Sequence, residues 1–347
     1  MRGMPHYWMI SDRALDNGVP GSKRGSLSYW VSDKIPLNNF ANWNPVPPSD
    51  FKRLLIAAAD QFPLIAHGDN EQQSHVTFFI HGYNNGWADA AQRYEQLCAA
   101  LYSGPQSLGL CVSFDWPSFG SVIDYYPDRD HARECANDLA TVLSELYDWL
   151  LVKQQDAIRN PNNACRAKVS AITHSMGNYV LQKAMKAAWT RKNQPLLASL
   201  INQLVMVAAD VDNDLFESDA SDGSDGDALA NLSYRITALY SGRDAVLGAS
   251  AGLKHFGARR LGRSGLAVSL PTGKDNIWEI DCSSFFPASV GGIDIHSAYF
   301  GPYGTLPLMQ SILRGLDRTV LETLGQTTGT EWPPIPSEAT LSPAGSP

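Results

Sequence analysis

Residues 172–177 read Ile172-Thr173-His174-Ser175-Met176-Gly177. They follow Lys168-Val-Ser-Ala-Ile172, a short β-rich run, and precede helical spacing from Asn178 to about Thr190. At a junction of this kind the chain reverses sharply. The residues two before and two after the serine must then be small, and the hydroxyl is lifted above the sheet at a helix N-terminus. Gly177 meets this requirement. Thr173 stands where glycine is usual, a departure of modest size. The motif in this context marks Ser175 as a nucleophile; the competing reading is an ordinary helix N-cap serine.

The surrounding chain alternates in the same way. Val76–Ile80, Leu110–Phe114, Leu204–Ala208, Tyr234–Tyr240 and Ile277–Ile280 are short apolar runs. Helical spacing lies between them at Trp87–Leu101 and from about Arg129 to Ala157, where Asp128 or Asp130 is a candidate cap. Continuous apolar strands separated by helices predict an α/β fold with a mostly parallel sheet covered on both faces. Such sheets carry their sites at the carboxyl ends of the strands.

The first of these ends is Phe79-Ile-His81-Gly82-Tyr83-Asn84. The His81-Gly82 pair permits a tight turn, after which backbone N–H groups can face a reacting carbonyl. An oxyanion needs two such donors, and the N–H groups of Tyr83 and Met176 are the candidates. His81 is expected to hold the loop. Tyr83, Trp87, Trp116 and Phe119 follow strand ends and are candidates to line a pocket, with core packing as the alternative.

Together these blocks resemble the α/β-hydrolases, and within them a mainly bacterial family of unknown function. The blocks are His81-Gly-Tyr-Asn-Asn85, Phe114-Asp-Trp116-Pro-Ser118 with Gly120 and Tyr125, Thr173-His-Ser-Met-Gly-Asn178, Ala209-Asp-Val-Asp212, Tyr240-Ser-Gly-Arg-Asp244, and His296 with Tyr299-Phe300. They run in order from about residue 76 to 300. Residues 1–70 match only loosely, through Ser11-Asp-Arg13 and Leu27-Ser-Tyr29. The resemblance implies a Ser–acid–His triad in that chain order and no particular substrate.

Only His255 and His296 come after Ser175. His255 lies in a basic stretch and reads as a surface residue. His296 lies in a glycine-containing loop after the last strand, where a base belongs. Asp244, at the end of the fifth run, is the expected acid, with Asp212 or Asp210 as alternatives. The expected activity is that of a serine esterase acting through an acyl-enzyme. An acyltransferase or a peptidase on the same triad, or a non-catalytic binding protein of this fold, are the other readings.

Composition narrows the classes further. The chain has 347 residues, 44% hydrophobic, with 27 Lys plus Arg against 35 Asp plus Glu and a net charge of −8. That balance argues against a nucleic-acid partner and for a small-molecule ester or acyl substrate. No apolar run approaches the roughly 20 residues of a membrane span. No secretory signal is read at the start, so a cytoplasmic protein is expected. The cysteines, Cys98, Cys111, Cys135, Cys165 and Cys282, are odd in number and widely spaced. They predict buried thiols rather than disulfides or a zinc cluster. No metal or organic cofactor is expected. The predicted organisation is an N-terminal extension over 1–70 wrapped on the core, a catalytic domain over 71–330 and a disordered tail over 331–347. Glu217–Asp227 reads as a mobile acidic loop and Lys254–Lys274 as a solvated basic cover.

Overall fold

The computed structural model describes residues 4–63, 72–83, 85–118, 125–160, 166–191, 199–267 and 274–316. The expected tail at 331–347, together with Asn84, Phe119, Gly120 and Cys165, lies outside the described residues.

The chain begins with a hairpin of β1 (Tyr7–Asp16) and β2 (Val19–Ser32), to which β3 (Asn44–Pro45) adds antiparallel. After α1 (Pro48–Ala59) come β4 (His75–Ile80), α2 (Trp87–Leu101), β5 (Gly109–Asp115) and α3 (Tyr125–Arg159). Next are β6 (Lys168–His174), α4 (Gly177–Arg191), β7 (Ile201–Val207), α5 (Gly223–Leu232) and β8 (Ser233–Tyr240). The short α6 (Ala245–Ala249) and α7 (Leu261–Ser264) precede β9 (Ile277–Asp281), and α8 (Gly292–Ala298) and α9 (Thr305–Leu313) follow it. The strands form one sheet in the order β3-β2-β1-β5-β4-β6-β7-β8-β9, parallel from β1 through β9. One face is sealed by Phe51 of α1, Leu139 and Leu143 of α3, Val180 and Met185 of α4 and Leu229 of α5. Tyr94 and Leu97 of α2, Ile295 of α8 and Leu308 of α9 seal the other. Each such aliphatic side chain contributes roughly 1.5–3 kcal/mol by leaving water. The long helix starts at Tyr125, so neither Asp128 nor Asp130 caps it.

Three expectations need correction. Residues 7–45 do not wrap the sheet but build three of its strands, with β1 running parallel to β5 from Trp8↔Val112 to Ser11↔Asp115. The clue is Asn17-Gly18, both at positive φ (51° and 81°), the backbone that two-residue hairpins favour. The acidic stretch is in part helix α5. A Cβ on Gly226 would lie 2.0 Å from the Leu215 carbonyl oxygen, so that glycine permits close packing. Lys183 holds Asp225 at 2.6 Å and Asp222 at 3.3 Å, which offsets part of their charge. Two cations of the basic stretch are anchored rather than solvated: Arg260 is fully buried on Asp210 (2.8 Å) and also bonds Asp212, and Lys274 reaches Asp227 at 3.0 Å.

Strand β1 also buries Asp12 completely, and among the described residues no N–H or O–H reaches either oxygen. Burial above all, helped by Asp115 and Asp138 and opposed by the Cys135 thiol and Arg13, pushes its carboxyl up to about 7. Because the folded pKa exceeds the unfolded one, stability falls as pH rises from about 4 to 7 and stays lowered above that. Asp12→Asn is therefore expected to stabilise the protein more at pH 8 than at pH 5, by a difference of about 2–3 kcal/mol. Thermal unfolding of both proteins at the two pH values checks this; an equal Tm difference at each would contradict it.

Cys98, Cys111, Cys135 and Cys282 are free and buried. Among the described residues, no helix is long and apolar enough to cross a membrane.

Candidate active site

Strand β6 runs directly into α4, and Ser175 makes the turn at φ +53°, a left-handed conformation that costs a non-glycine residue roughly 1–2 kcal/mol. The turn is held from several sides. Ser175 N–H donates to Val207 O (3.0 Å), while Asp210 N–H (3.2 Å) and Asn178 Nδ2 (3.1 Å) donate to Ser175 O. Thr173, the departure from the usual glycine, is fully buried and takes part in this clamp. Its hydroxyl donates to Asn178 Oδ1 at 2.5 Å, and Asn178 Nδ2 lies 3.2 Å from Thr173 O. Gly177 is obligatory on steric grounds, since a Cβ there would lie 2.5 Å from the carbonyl oxygens of Ile80 and His81. Gly82 is equally constrained: its Cβ would meet the Ser175 Cβ at 2.7 Å, so the His81-Gly82 turn lies against the serine.

Helix α8 brings His296 to this point. Its Nε2 is 2.9 Å from Ser175 Oγ, and its Nδ1 is 2.7 Å from Asp244 Oδ2. Asp244 is fully buried and caps α6, its Oδ1 accepting from Leu247 N–H at 2.9 Å. A carboxylate can only accept, so Nδ1 carries the proton and Nε2 faces the serine hydroxyl as acceptor. Arg243 fixes the approach to α8, donating to Phe286 O (2.6 Å), Pro287 O (3.1 Å) and Val290 O (3.0 Å). Asp210 and Asp212, the alternative acids, are bound to Arg260, and Ser250 Oγ donates to Asp210 at 2.9 Å.

Beneath the His81 turn lies a buried polar cluster. Arg13 Nε donates to Asp115 Oδ1 at 2.8 Å, with the two side chains 1% and 2% exposed. Arg13 also donates to Asn85 O (3.2 Å) and Gly21 O (3.0 Å). His81 is fully buried; its Nδ1 meets Gly82 O at 2.9 Å, and its Nε2 lies 3.2 Å from both Trp116 N–H and Asp115 Oδ1. Burial alone would raise the Asp115 pKa, but Arg13 and His81 outweigh it and hold the carboxyl below the usual range. Trp116 is fully buried and stacks on His81 at 5.4 Å, donating from Nε1 to His81 O at 2.8 Å. It packs behind the loop. Trp87 is buried against Phe40, and Tyr83 is half-buried.

Sequence reasoning missed Arg13, Asp115, Asn178, Arg93 and Arg243 as site residues. Arg13 was visible only as part of the loosely matching Ser11-Asp-Arg13 stretch. Among the described residues, no group of three or more His, Cys, Asp and Glu side chains is placed to hold a metal ion. A separate apolar hollow of about 180 Å³, lined by Phe51, Leu55, Phe78, Val169 and Trp149 among others, opens between α1 and α3. Val169 is the second residue of β6 and Ser175 follows the last; six residues at about 3.3 Å each put the hollow roughly 20 Å from the serine.

Residues 56–275, well over half of the chain, match the family described as "Alpha/beta hydrolase of unknown function (DUF900)". The chain belongs to this family. The DUF900 match includes Ser175 and Asp244 and ends before His296. An uncharacterized protein of Nostoc sp. (alr1448) is 25% identical over 177 residues, which are 44% of this chain and 41% of that protein. The chain thus spans about two-fifths of the length of that relative. Solved structures with which this DUF900 chain aligns include carboxyl esterase 2 of the fungus Tuber melanosporum, at 12% identity over 83% of this chain and 81% of that one, TM-score 0.37. An esterase of Pyrobaculum calidifontis aligns at 13% over 70% and 76%, TM-score 0.36. Aspergillus fumigatus lipase B aligns at 12% over 91% and 66%, TM-score 0.38. Likeness at that level says nothing about substrate.

Proposed function

We propose that the protein is a serine hydrolase that cleaves small carboxylic esters through an acyl-enzyme. The observation that carries this reading is the continuous hydrogen-bonded chain Asp244–His296–Ser175, ending on a strained serine at a strand-to-helix turn. Ser175 Oγ attacks the ester carbonyl while His296 Nε2 takes its proton. The tetrahedral oxyanion is held by the N–H groups of Tyr83 and Met176. The closeness of Gly82 to Ser175 supports that placement. His296 returns the proton to the leaving alcohol as the C–O bond breaks. Water, deprotonated by the same nitrogen, then releases the acid and restores the serine. Asp244 keeps the imidazole in the required tautomer and offsets the charge of the imidazolium.

A fluorophosphonate probe is expected to label the folded protein at one residue, Ser175, and to abolish hydrolysis of short p-nitrophenyl esters in proportion to labelling. Peptide mapping of the adduct locates the serine. Ester hydrolysis that persists after complete labelling would refute the assignment, and an unlabelled, inactive folded protein would favour a binding role.

A further inference from the structure

His174 precedes the nucleophile and is 1% exposed, yet it takes no part in the proton transfers above. Its two ring nitrogens are both engaged. Nε2 lies 2.8 Å from the backbone oxygen of His296, and Nδ1 lies 3.1 Å from Arg93 Nη1. A guanidinium has only donors, so Nδ1 must accept; a carbonyl only accepts, so Nε2 must carry the hydrogen. One neutral tautomer satisfies both contacts, and a second proton would set an N–H against Arg93. Burial, then the Arg93 and His296 charges, push the His174 pKa well below its ordinary value, which agrees with that geometry.

The His296 carbonyl is among the last four of α8, groups that have no partner within their own helix. The same guanidinium that fixes His174 donates from Nη2 to Ser297 Oγ at 3.0 Å and lies 5.4 Å from the Phe300 ring. Phe300 in turn packs edge-on against His174 at 5.2 Å. Strand β6 and helix α2 therefore grip the end of α8. Helix α8 has only seven residues and enters through Gly291-Gly292. Asp244 and Ser175 fix the ring of His296, but the backbone that carries the ring is held elsewhere.

We infer that His174, with its tautomer set by Arg93, is a positioning residue that anchors the backbone of His296 so that Nε2 stays in line with Ser175 Oγ. This rests on the reading of Ser175 and His296 as nucleophile and base. The role requires a donor at the Nε2 position and no charge, which glutamine supplies through its side-chain amide and phenylalanine does not.

The test measures kcat and KM for p-nitrophenyl acetate, with Tm, in the full chain carrying His174→Phe, His174→Gln or Arg93→Met, beside Ser175→Ala. A misplacement of about 1 Å costs roughly 10²-fold, so His174→Phe is expected to lower kcat about 10- to 100-fold with KM little changed. His174→Gln is expected to recover most of that loss. Arg93→Met, which frees the His174 tautomer while leaving its ring in place, is expected to lower kcat with KM unchanged and to a smaller extent. The downfield Nδ1 proton resonance of His296 is expected to broaden in His174→Phe and return in His174→Gln. Wild-type kcat in His174→Phe, or equal losses in Phe and Gln variants of unchanged Tm, would overturn the inference while the triad stood. If His174→Phe does not fold, wild-type kcat in Arg93→Met overturns it instead. Activity surviving in Ser175→Ala would remove the underlying reading itself.

Discussion

Ser175→Ala is expected to lower kcat for short p-nitrophenyl esters by a factor on the order of 10⁶ while leaving Tm nearly unchanged. The magnitude follows from what is removed. Without the hydroxyl there is no acyl-enzyme, and His296 is left with no proton to accept from a nucleophile. Whatever rate remains comes from binding and from the oxyanion donors. Stability should hardly move because the elbow is held through the backbone and the Thr173–Asn178 clamp, none of which involves Oγ. Alanine keeps the Cβ that rests against Gly82. Purified variant and parent are compared by initial rates and by thermal unfolding. Full activity in the variant would exclude Ser175 as nucleophile, and a collapse of Tm would make the serine a structural residue instead.

Arg13→Met is expected to have the largest effect on stability, about 3–5 kcal/mol. The substitution leaves Asp115 as a fully buried carboxylate without its strongest partner, and it removes the donors to Asn85 O and Gly21 O. Asp115 has a depressed folded pKa, so the stability it supplies is present above the ordinary carboxylate pKa and is lost as pH falls through the folded value. The destabilisation by Arg13→Met should therefore be read at neutral pH. Adding Asp115→Leu is expected to recover a good part of the loss, because an apolar pair of similar volume avoids the uncompensated charge. Ester turnover should stay low in the double variant, since the loop then lacks the Arg13 bond to Asn85 O and His81 lacks its Asp115 contact. Thermal unfolding of both single variants and the double variant gives the coupling; additive effects would show that the pair does not act as a unit.

The elbow was legible in the sequence because its constraints are local. A strand, a serine and Gly177 stand within a few residues, and the steric reason for Gly177 depends only on the neighbouring strand end. His296 and Asp244 were legible through chain order, and the structure places both within hydrogen-bonding distance of their partners. Strand β1 was not, because Ser11, Asp12 and Arg13 are all buried and break the apolar run that marks an inner strand. Its polar residues serve a site formed by distant segments, so no nearby pattern explains them. Composition also misled at Asp222, Asp225 and Arg260, whose charges looked solvent-bound until their partners came from other elements. His174 was quoted as part of a motif, but its role depends on Arg93, 81 residues earlier, and on a carbonyl 122 residues later.

The two hydrogen bonds of His296 span 52 and 121 residues of chain, and the cluster under the His81 turn reaches back 102 residues from Asp115 to Arg13. Contacts this distant in sequence form slowly, because each must close a long loop before it rewards the chain. Partly assembled forms of this sheet, whether emerging during synthesis or during refolding, are therefore expected to lack the Asp244–His296–Ser175 hydrogen-bonded chain. On the proposed reading, recovery of ester turnover after dilution from denaturant is expected to be the last signal to return, later than helical circular dichroism, which would make the activity a clock for completion of the whole domain.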